Sequence, residues 1–137
     1  MARLEASMIT DLIGKPFAWA GRGPDRFDCW GIVLHVGRLY GFNGLPDYDD
    51  VTSMNAAVRT MASERSRLPW EDQGCIDQAE EGSIVLLASR PGAFHHAGIV
   101  TPWGVLHCTE KLGVVITRQS DLASMGYRHT QVYRWVG

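Results

Sequence analysis

Residues 26–41 read RFDCWGIVLHVGRLYG, and this stretch decides how the rest of the chain is interpreted. A loop rich in glycine and charge ends at Asp28, and a run that is apolar nearly all round begins at Cys29. A helix that is apolar on all faces is a buried one, and a glycine just past its last turn commonly ends it. The stretch therefore predicts a buried helix from about Cys29 to Gly41, with a cysteine at its N-terminus.

Two further helices are predicted on either side of this one. Apolar residues recur every four positions near the N-terminus, which predicts a helix that carries on one face Leu4, Met8 and Leu12. Another helix is predicted after an N-cap at Thr52 or Ser53, and it stops before Pro69. The side chains expected to point inward from it are Met54, Ala57 and Met61.

The second half of the chain has the pattern of strands. Residues 68–81 are acidic and predicted to be irregular. Short apolar runs separated by turn residues follow, at residues 83–88, 96–100, 105–108, 113–117 and 131–135. Helices followed by an antiparallel sheet predict an α+β fold. We expect one globular domain over residues 1–137, with N-terminal helices packed on a small antiparallel sheet.

Composition narrows the classes of function. The formal net charge is −2 and no basic run is present, which argues against nucleic acid and anionic membrane as partners. No apolar stretch is long enough to span a bilayer, so we expect no membrane insertion. The N-terminus lacks the apolar core of a signal, which predicts synthesis in the cytoplasm without a signal peptide. Cys29, Cys75 and Cys108 are odd in number and far apart, which favours reduced thiols over disulfides.

The position of Cys29 suggests a nucleophile. Thiolate is the reactive form of cysteine, and the unpaired amides and dipole at a helix N-terminus lower the pKa of a thiol there. The same amides can stabilise an oxyanion beside the attacking sulfur. The alternative is that Cys29 packs as a small hydrophobic residue, as most buried cysteines do. A nearby base is needed to favour the first interpretation.

The chain has five histidines that could serve as that base. His35 lies on the same helix as Cys29 but more than one turn further along, so it points elsewhere. His129 falls in a polar segment near the C-terminus and is expected to be solvated. The remaining candidates lie on or beside two predicted strands, and they are His95, His96 and His107.

Strand parity selects two of these histidines. Residues 101–104 suit a turn between two strands, with Val100 opposite Val105. In that register His107 lies opposite Gly98 and on the same face as His96. Gly98 leaves space between the two imidazoles. We therefore predict His96 as the base and His107 as the group that orients it.

Two alternatives remain open at this point. A three-residue loop would bring His107 to the face of His95 instead of His96. A metal site could also be assembled from His95, His96, His107 and Cys108, although adjacent histidines on a regular strand point to opposite faces. The spacing is not that of a standard metal site, so we predict no metal and no cofactor.

Four segments together resemble the NlpC/P60 cysteine peptidases. They are residues 14–21 (GKPFAWAG), 28–31 (DCWG), 96–100 (HAGIV) and 106–107 (LH), and their order and spacing fit that family. The resemblance implies a papain-like α+β fold and hydrolysis of peptidoglycan stem peptides, typically between D-glutamate and a diamino acid. It also implies a Cys-His-His triad with Cys29 as nucleophile, His96 as base and His107 as third member.

The same resemblance suggests which residues contact the substrate. We expect Asp28, Trp30, Phe17 and Trp19 to do so. Asp28 either holds a substrate amine or caps the helix. Phe17 stands where the family often has tyrosine, so a hydroxyl is absent there, and Trp30 stands where it usually has serine. Both differences are expected to reshape the substrate groove.

Small members without a signal resemble the cell-wall peptidases of phage tails and tail-like particles. The resemblance therefore implies a phage-tail context, with other tail proteins as possible partners and action at the cell wall. Two other functions are alternatives. One is an amidase or acyltransferase that acts on a different amide with the same triad, and the other is a catalytically silent structural module of tail assembly.

Overall fold

The computed structural model describes residues 3–137, with the backbone alone at residue 78. Within residues 3–137, two α-helices and six strands form the fold: α1 (Cys29–Leu39), α2 (Met54–Glu64), β1 (Trp70–Gly74), β2 (Ile84–Ala88), β3 (His96–Thr101), β4 (Gly104–Thr109), β5 (Gly113–Thr117) and β6 (His129–Trp135). The strands form one antiparallel sheet in the order β1-β6-β2-β3-β4-β5. The predicted α+β class is confirmed.

Helix α1 is the predicted buried helix, and it packs on one face of the sheet. Eight of its eleven residues are buried, and Ile32 and Val36 share a core with Ile99 and Leu106 of the sheet. Asp28 caps the helix by accepting a hydrogen bond from the Gly31 amide at 2.7 Å. The helix ends at Leu39, two residues before the predicted end.

Gly31 is fixed by a close backbone approach. A Cβ at this position would collide with the carbonyl oxygen of Gly21 in the preceding loop. The Asp28 amide donates to that same Gly21 carbonyl at 3.2 Å, and the Asp28 carboxylate accepts from the Ala20 amide at 2.9 Å. The loop is therefore held directly against the first turn of α1, which fixes where Cys29 points.

The predicted N-terminal helix is wrong. The segment forms two short 3-10 turns, Ala6–Met8 and Thr10–Leu12. The residues that are buried near them are Leu4, Ile9 and Leu12, whereas Met8 is 44% exposed. The four-residue spacing of Leu4, Met8 and Leu12 therefore does not match the spacing of the residues that are buried. The segment is held by the core and by a hydrogen bond from the Gly14 amide to the Val114 carbonyl of β5.

Helix α2 confirms the predicted N-cap at Ser53, whose hydroxyl accepts from the Ala56 amide. Only Ala57 of the three inward-facing residues is buried. Met61 is partly buried, and Met54 is 51% exposed. The helix lies at the surface and covers part of the core with one side. Among residues 3–137, no helix has the length and apolar character to cross a membrane.

Two segments predicted as loops are part of the sheet. Residues 70–74 form β1, an edge strand whose Glu71 pairs with Arg134 of β6 at 2.7 Å. Charged side chains are common on edge strands because they discourage pairing with other chains, so an acidic segment can still be a strand. Trp70 stacks on Tyr133 with 4.1 Å between ring centroids. His129 begins β6 opposite Ala88 and is not in a solvated loop.

Candidate active site

The hairpin of β3 and β4 has the predicted register. Val100 pairs with Val105, and His107 lies opposite Gly98. Thr101 also pairs with Gly104, so the loop itself has only two residues. His96 Nε2 and His107 Nδ1 are 2.8 Å apart, which excludes the alternative in which His107 meets His95.

Gly98 is the residue that lets the two imidazoles meet. A Cβ there would lie 2.7 Å from Val105 Cγ1 and 3.2 Å from His107 Cβ. Any larger residue at position 98 would therefore shift His107 and change its distance to His96. The sequence predicted an open space between the imidazoles at this position, whereas the structure has close packing around Gly98 and the two rings in direct contact.

A chain of hydrogen bonds continues from His107 into β5. His107 Nε2 lies 2.8 Å from Thr117 Oγ1, and the Thr117 hydroxyl donates to Met125 Sδ at 3.4 Å. Because Thr117 donates to the sulfur, its oxygen accepts from His107 Nε2–H, and His107 Nδ1 then accepts from His96 Nε2–H. This arrangement leaves His96 Nδ1 with a lone pair.

Thr117 was missed in the sequence, although a signal for it existed. His107 pairs with Val115 in the β4–β5 ladder, and Thr117 lies two residues further on the same face. The strand parity that places His107 on the face of His96 also places Thr117 on that face when it is extended to β5.

Tyr127 was also missed, and it covers the base. Its ring stacks on His96 with 4.7 Å between centroids and 5° between planes, and its edge meets His107 at 5.9 Å. Tyr127 follows Gly126, whose φ of 101° turns the chain between the 3-10 turn Ala123–Met125 and β6. No local motif marks such a residue, because its role depends on where that turn places the ring.

Cys29 lies where β3 and β4 separate. The two strands pair from Gly98 and His107 onward, so Ala97 lies just outside their ladder. The backbone N–H groups of Ala97 and Trp30 act on the Cys29 thiol so as to lower its pKa. The side chain is only 5% exposed. Thus the thiol sits at the N-terminus of α1, as the sequence predicted.

The pKa of Cys29 is shifted in the direction opposite to the one predicted. Burial and then the Asp28 carboxylate raise the pKa of the thiol to about 12, and the two backbone amides oppose this only in part. Burial is the larger cause, and Asp28 adds to it because it occupies the Gly31 amide at the helix N-terminus and places a negative charge beside the sulfur. The thiol is therefore neutral in the resting protein.

The two histidines are neutral as well. Burial lowers the pKa of His96 well below its ordinary value, and His107 and His95 lower it further. Burial lowers the pKa of His107 to about 4. The resting site holds a thiol and a neutral imidazole, so the proton has to move from sulfur to His96 during attack on a substrate.

Alkylation tests the neutral thiol. At about pH 6, we expect iodoacetamide to modify the exposed Cys75 faster than the buried Cys29, because the thiolate is the reactive form. Peptide mapping by mass spectrometry measures both rates in one sample. Faster modification of Cys29 would contradict the neutral pair and indicate a thiolate–imidazolium pair instead.

The buried histidines also predict a pH dependence of stability. The pKa of His107 is near 6.5 when unfolded and about 4 in the fold, so the unfolded chain binds the proton more tightly. Stability is therefore complete above pH 6.5 and is lost as the pH falls toward 4, by about 3 kcal/mol from His107 alone. Urea unfolding measured at both ends of this window checks the loss. His107→Asn should show a smaller dependence, and an equal dependence in both proteins would contradict the assignment.

Asp28 has the role of an N-cap in this structure. Its buried carboxylate accepts from Gly31 and Ala20, and it pairs with Arg22 Nη1 at 2.8 Å. Arg22 also contacts Asp47 at 2.7 Å. These bonds tie the loop, the helix start and a distant segment together. The contact of Asp28 with a substrate amine stays a prediction.

Two cavities meet at Cys29. The first, which we call the histidine cleft, has a volume of about 430 Å³ and is lined by Phe17, Trp19, His96, Lys111 and Tyr127 among others. The second, the tryptophan pocket, has a volume of about 50 Å³ and is lined by Trp19, Trp30, Met61, Leu68 and Trp70 among others. Cys29 lines both cavities. All the residues predicted to contact substrate therefore border one cavity or the other.

The metal alternative has no geometric support in the described residues. The imidazole centroids of His95 and His96 are 6.5 Å apart. Across residues 3–137, no three His, Cys, Asp or Glu side chains are grouped so that they could hold a metal ion. The Cys108 thiol instead donates to the Phe27 carbonyl at 3.2 Å.

Comparison with known proteins gives matches at the level of structure. Neither a protein-family model nor a curated protein sequence matches the chain. The fold is similar to the NlpC/p60 domain of the peptidoglycan hydrolase SagA, with a TM-score of 0.60, 17% identity, and coverage of 95% of this chain and 94% of that one. It is also similar to NlpC2 from Trichomonas vaginalis, with a TM-score of 0.57 and 18% identity, over 95% of this chain and 45% of that one. The protein therefore has the NlpC/p60 fold that its sequence segments predicted.

Proposed function

We propose that the protein is a cysteine hydrolase of the NlpC/P60 type that cleaves peptidoglycan stem peptides. The observation that carries the proposal is the meeting of Cys29 with the chain His96–His107–Thr117 at one cleft. A buried thiol alone is common, but a thiol at a helix N-terminus beside a hydrogen-bonded histidine pair is the arrangement of a nucleophile, a base and an orienting group. The similarity to the NlpC/p60 domain of a peptidoglycan hydrolase supports the choice of substrate class.

The geometry suggests a mechanism that starts from neutral groups. A substrate carbonyl enters beside Cys29, and Sγ attacks it while the thiol proton moves to His96 Nδ1. His107 Nδ1, which accepts from His96 Nε2–H, stabilises the imidazolium that forms. His96 then donates its proton to the leaving amine, and a thioester remains on Cys29. Water activated by His96 hydrolyses that thioester and returns the site to its resting state.

Charged residues of the histidine cleft favour a charged leaving group. Glu110 and Lys111 both line the cleft. A diamino acid carries an ammonium and a carboxylate, so this pair of opposite charges is complementary to it. We therefore propose cleavage between D-glutamate and a diamino acid. In this interpretation Phe17 and Trp19 provide the apolar wall of the cleft.

Digestion of muropeptides tests this proposal. Purified protein is incubated with muropeptides that contain different diamino acids, and mass spectrometry locates the bond that is cut. We expect cleavage at the D-glutamyl bond and weaker cleavage after Lys111→Ala. No product from any muropeptide would refute the peptidoglycan proposal, and a product cut at another bond would refute the proposed specificity.

Tyr127 is expected to act as a positioning residue for His96. Tyr127→Phe keeps the stacked ring and should change kcat/KM by less than about threefold, because the hydroxyl is not needed for stacking. Tyr127→Leu removes the aromatic pair, for an expected loss of about two- to tenfold. It also exposes His96 to water, which moves the acid limb of the pH profile upward. Equal pH profiles in the two variants would contradict this role.

The context of the activity stays a prediction. We propose, from the resemblance of the sequence segments alone, that the hydrolase acts at the cell wall as part of a phage tail or tail-like particle. Immunodetection of the protein in purified particles from a producing strain tests this. Detection only in the particle-free cell fraction would contradict it.

A further inference from the structure

The tryptophan pocket borders Cys29 but has neither His96 nor His107 in its lining. Its walls come from Trp19, Trp30 and Trp70, with Met61 of α2 and Leu68 closing it. The histidine cleft, by contrast, contains His96 and opens next to the same thiol. Cys29 and Trp19 thus lie between a cavity that contains the base and a cavity that does not.

Most polar atoms around the tryptophan pocket are already engaged, and the guanidinium of Arg65, which also lines the pocket, lies 5.2 Å from the centroid of the Phe94 ring. Trp30 Nε1 donates to the Pro46 carbonyl and Trp70 Nε1 to the Arg65 carbonyl, each at 2.7 Å. The hydroxyl of Tyr48, which also lines the pocket, donates to a carboxylate oxygen at 3.0 Å. What the pocket offers a ligand is therefore mostly carbon surface, and a polar or charged ligand group would lose its hydration there without replacement.

The proposed reaction indicates which part of the substrate each cavity holds. The leaving group has to lie beside His96, because His96 donates the proton to it. The acyl part of the substrate then extends away from His96 on the far side of the thiol. Of the two cavities that border Cys29, the tryptophan pocket is the one without His96 in its lining, so it is the cavity available to the acyl part.

We propose that the tryptophan pocket is an acyl subsite that takes a short aliphatic chain attached to the carbonyl that Cys29 attacks. This rests on the proposed nucleophile and deepens the proposed function. A cavity of about 150 Å³ holds benzene, so the pocket of about 50 Å³ has room for roughly two to three carbon atoms. The subsite therefore fits a propionyl or butyryl chain, or the first two to three carbon atoms of an acyl group whose polar remainder turns back to solvent, whereas a longer apolar chain does not fit.

Short-chain esters of p-nitrophenol test the subsite separately from peptidoglycan. Cys29 Sγ attacks the ester carbonyl, its proton moves to His96, the carbon–oxygen bond breaks, and p-nitrophenolate leaves. Water then hydrolyses the acyl thioester to the free acid. The measurement is the rate of p-nitrophenolate release for the acetate, propionate, butyrate and hexanoate esters, after subtraction of the rate with Cys29→Ala.

The expected profile has a maximum at propionate or butyrate. Each methylene that enters the pocket should increase kcat/KM by about fourfold relative to acetate, and hexanoate should react more slowly than butyrate. Rates that fall steadily from acetate onward, or rates that do not depend on chain length, would overturn the proposal.

Two variants should move the maximum in opposite directions. Met61→Ala enlarges the pocket and should shift the maximum to hexanoate, whereas Thr60→Leu fills it and should shift the maximum to acetate. Met8→Ala is the matched control, because Met8 is exposed and lines neither cavity. A maximum that stays unchanged in both folded variants would overturn the proposal. If muropeptides are not cut but the profile and its shifts are present, the peptidoglycan proposal fails and the acyl subsite stands.

Discussion

Replacing Cys29 by alanine is expected to abolish hydrolysis of muropeptides, with a loss in kcat/KM of at least about a thousandfold. The reason is that every step of the proposed mechanism passes through a bond to Cys29 Sγ. Any activity that remains would come from binding and from the amides of Ala97 and Trp30 around the sulfur. The measurement is the initial rate of product formation by mass spectrometry at equal concentrations of folded protein.

Cys75→Ala is the matched control for this substitution. Cys75 is exposed and borders neither cavity, so its removal should leave kcat/KM within about twofold of the wild type. Cys29→Ala should also keep the stability of the wild type to within about 2 kcal/mol, because only a small side chain is removed. A Cys29→Ala protein that is folded and keeps a tenth of the activity would refute the nucleophile.

The hydrogen-bonded chain behind the thiol predicts a graded series of losses. His96→Ala removes the base and should lower kcat/KM by about a hundredfold to ten-thousandfold. His107→Ala removes a bond to the imidazolium and should cost about ten- to a hundredfold. Thr117→Val removes a neutral hydrogen bond one step further away, and a loss of about two- to tenfold is expected.

The order of these losses is the informative part of the series. Each variant is compared at the same pH and with its folded fraction measured by near-ultraviolet circular dichroism. A loss that is larger for Thr117→Val than for His96→Ala would contradict the direction of the chain. Equal losses for all three would indicate that the substitutions act through the fold and not through the imidazole of His96.

Much of the fold could be predicted from local sequence patterns. Helix α1 could be predicted because its signal is complete within one stretch, from the Asp28 cap to the apolar run behind it. Strand β1 could not, because its residues are acidic and exposed and only the pairing with β6 makes them a strand. The N-terminal segment failed for a related reason. Its conformation depends on packing against α1 and β5, and the four-residue spacing of Leu4 and Met8 gives no information about that packing.

The residues of the candidate site likewise include some that the sequence predicts and some that it does not. Strand parity brought His96 and His107 together without any structure, since a register fixes the face of every residue on a strand. Tyr127 could not be found by such an argument, because its ring reaches His96 through an irregular segment. The raised pKa of Cys29 could not be predicted from the helix start alone, because it depends on the burial of the thiol and on the Asp28 carboxylate that occupies one of the amides.

The most direct test of the central claim is to trap the acyl-enzyme. Wild-type protein and a cleavable muropeptide are mixed, the reaction is quenched in acid after a few turnovers, and the intact protein and its peptides are weighed by mass spectrometry. We expect a thioester that adds the mass of the acyl half of the substrate to Cys29 and to neither Cys75 nor Cys108. An adduct on another residue, or product release by Cys29→Ala at the wild-type rate, would contradict it.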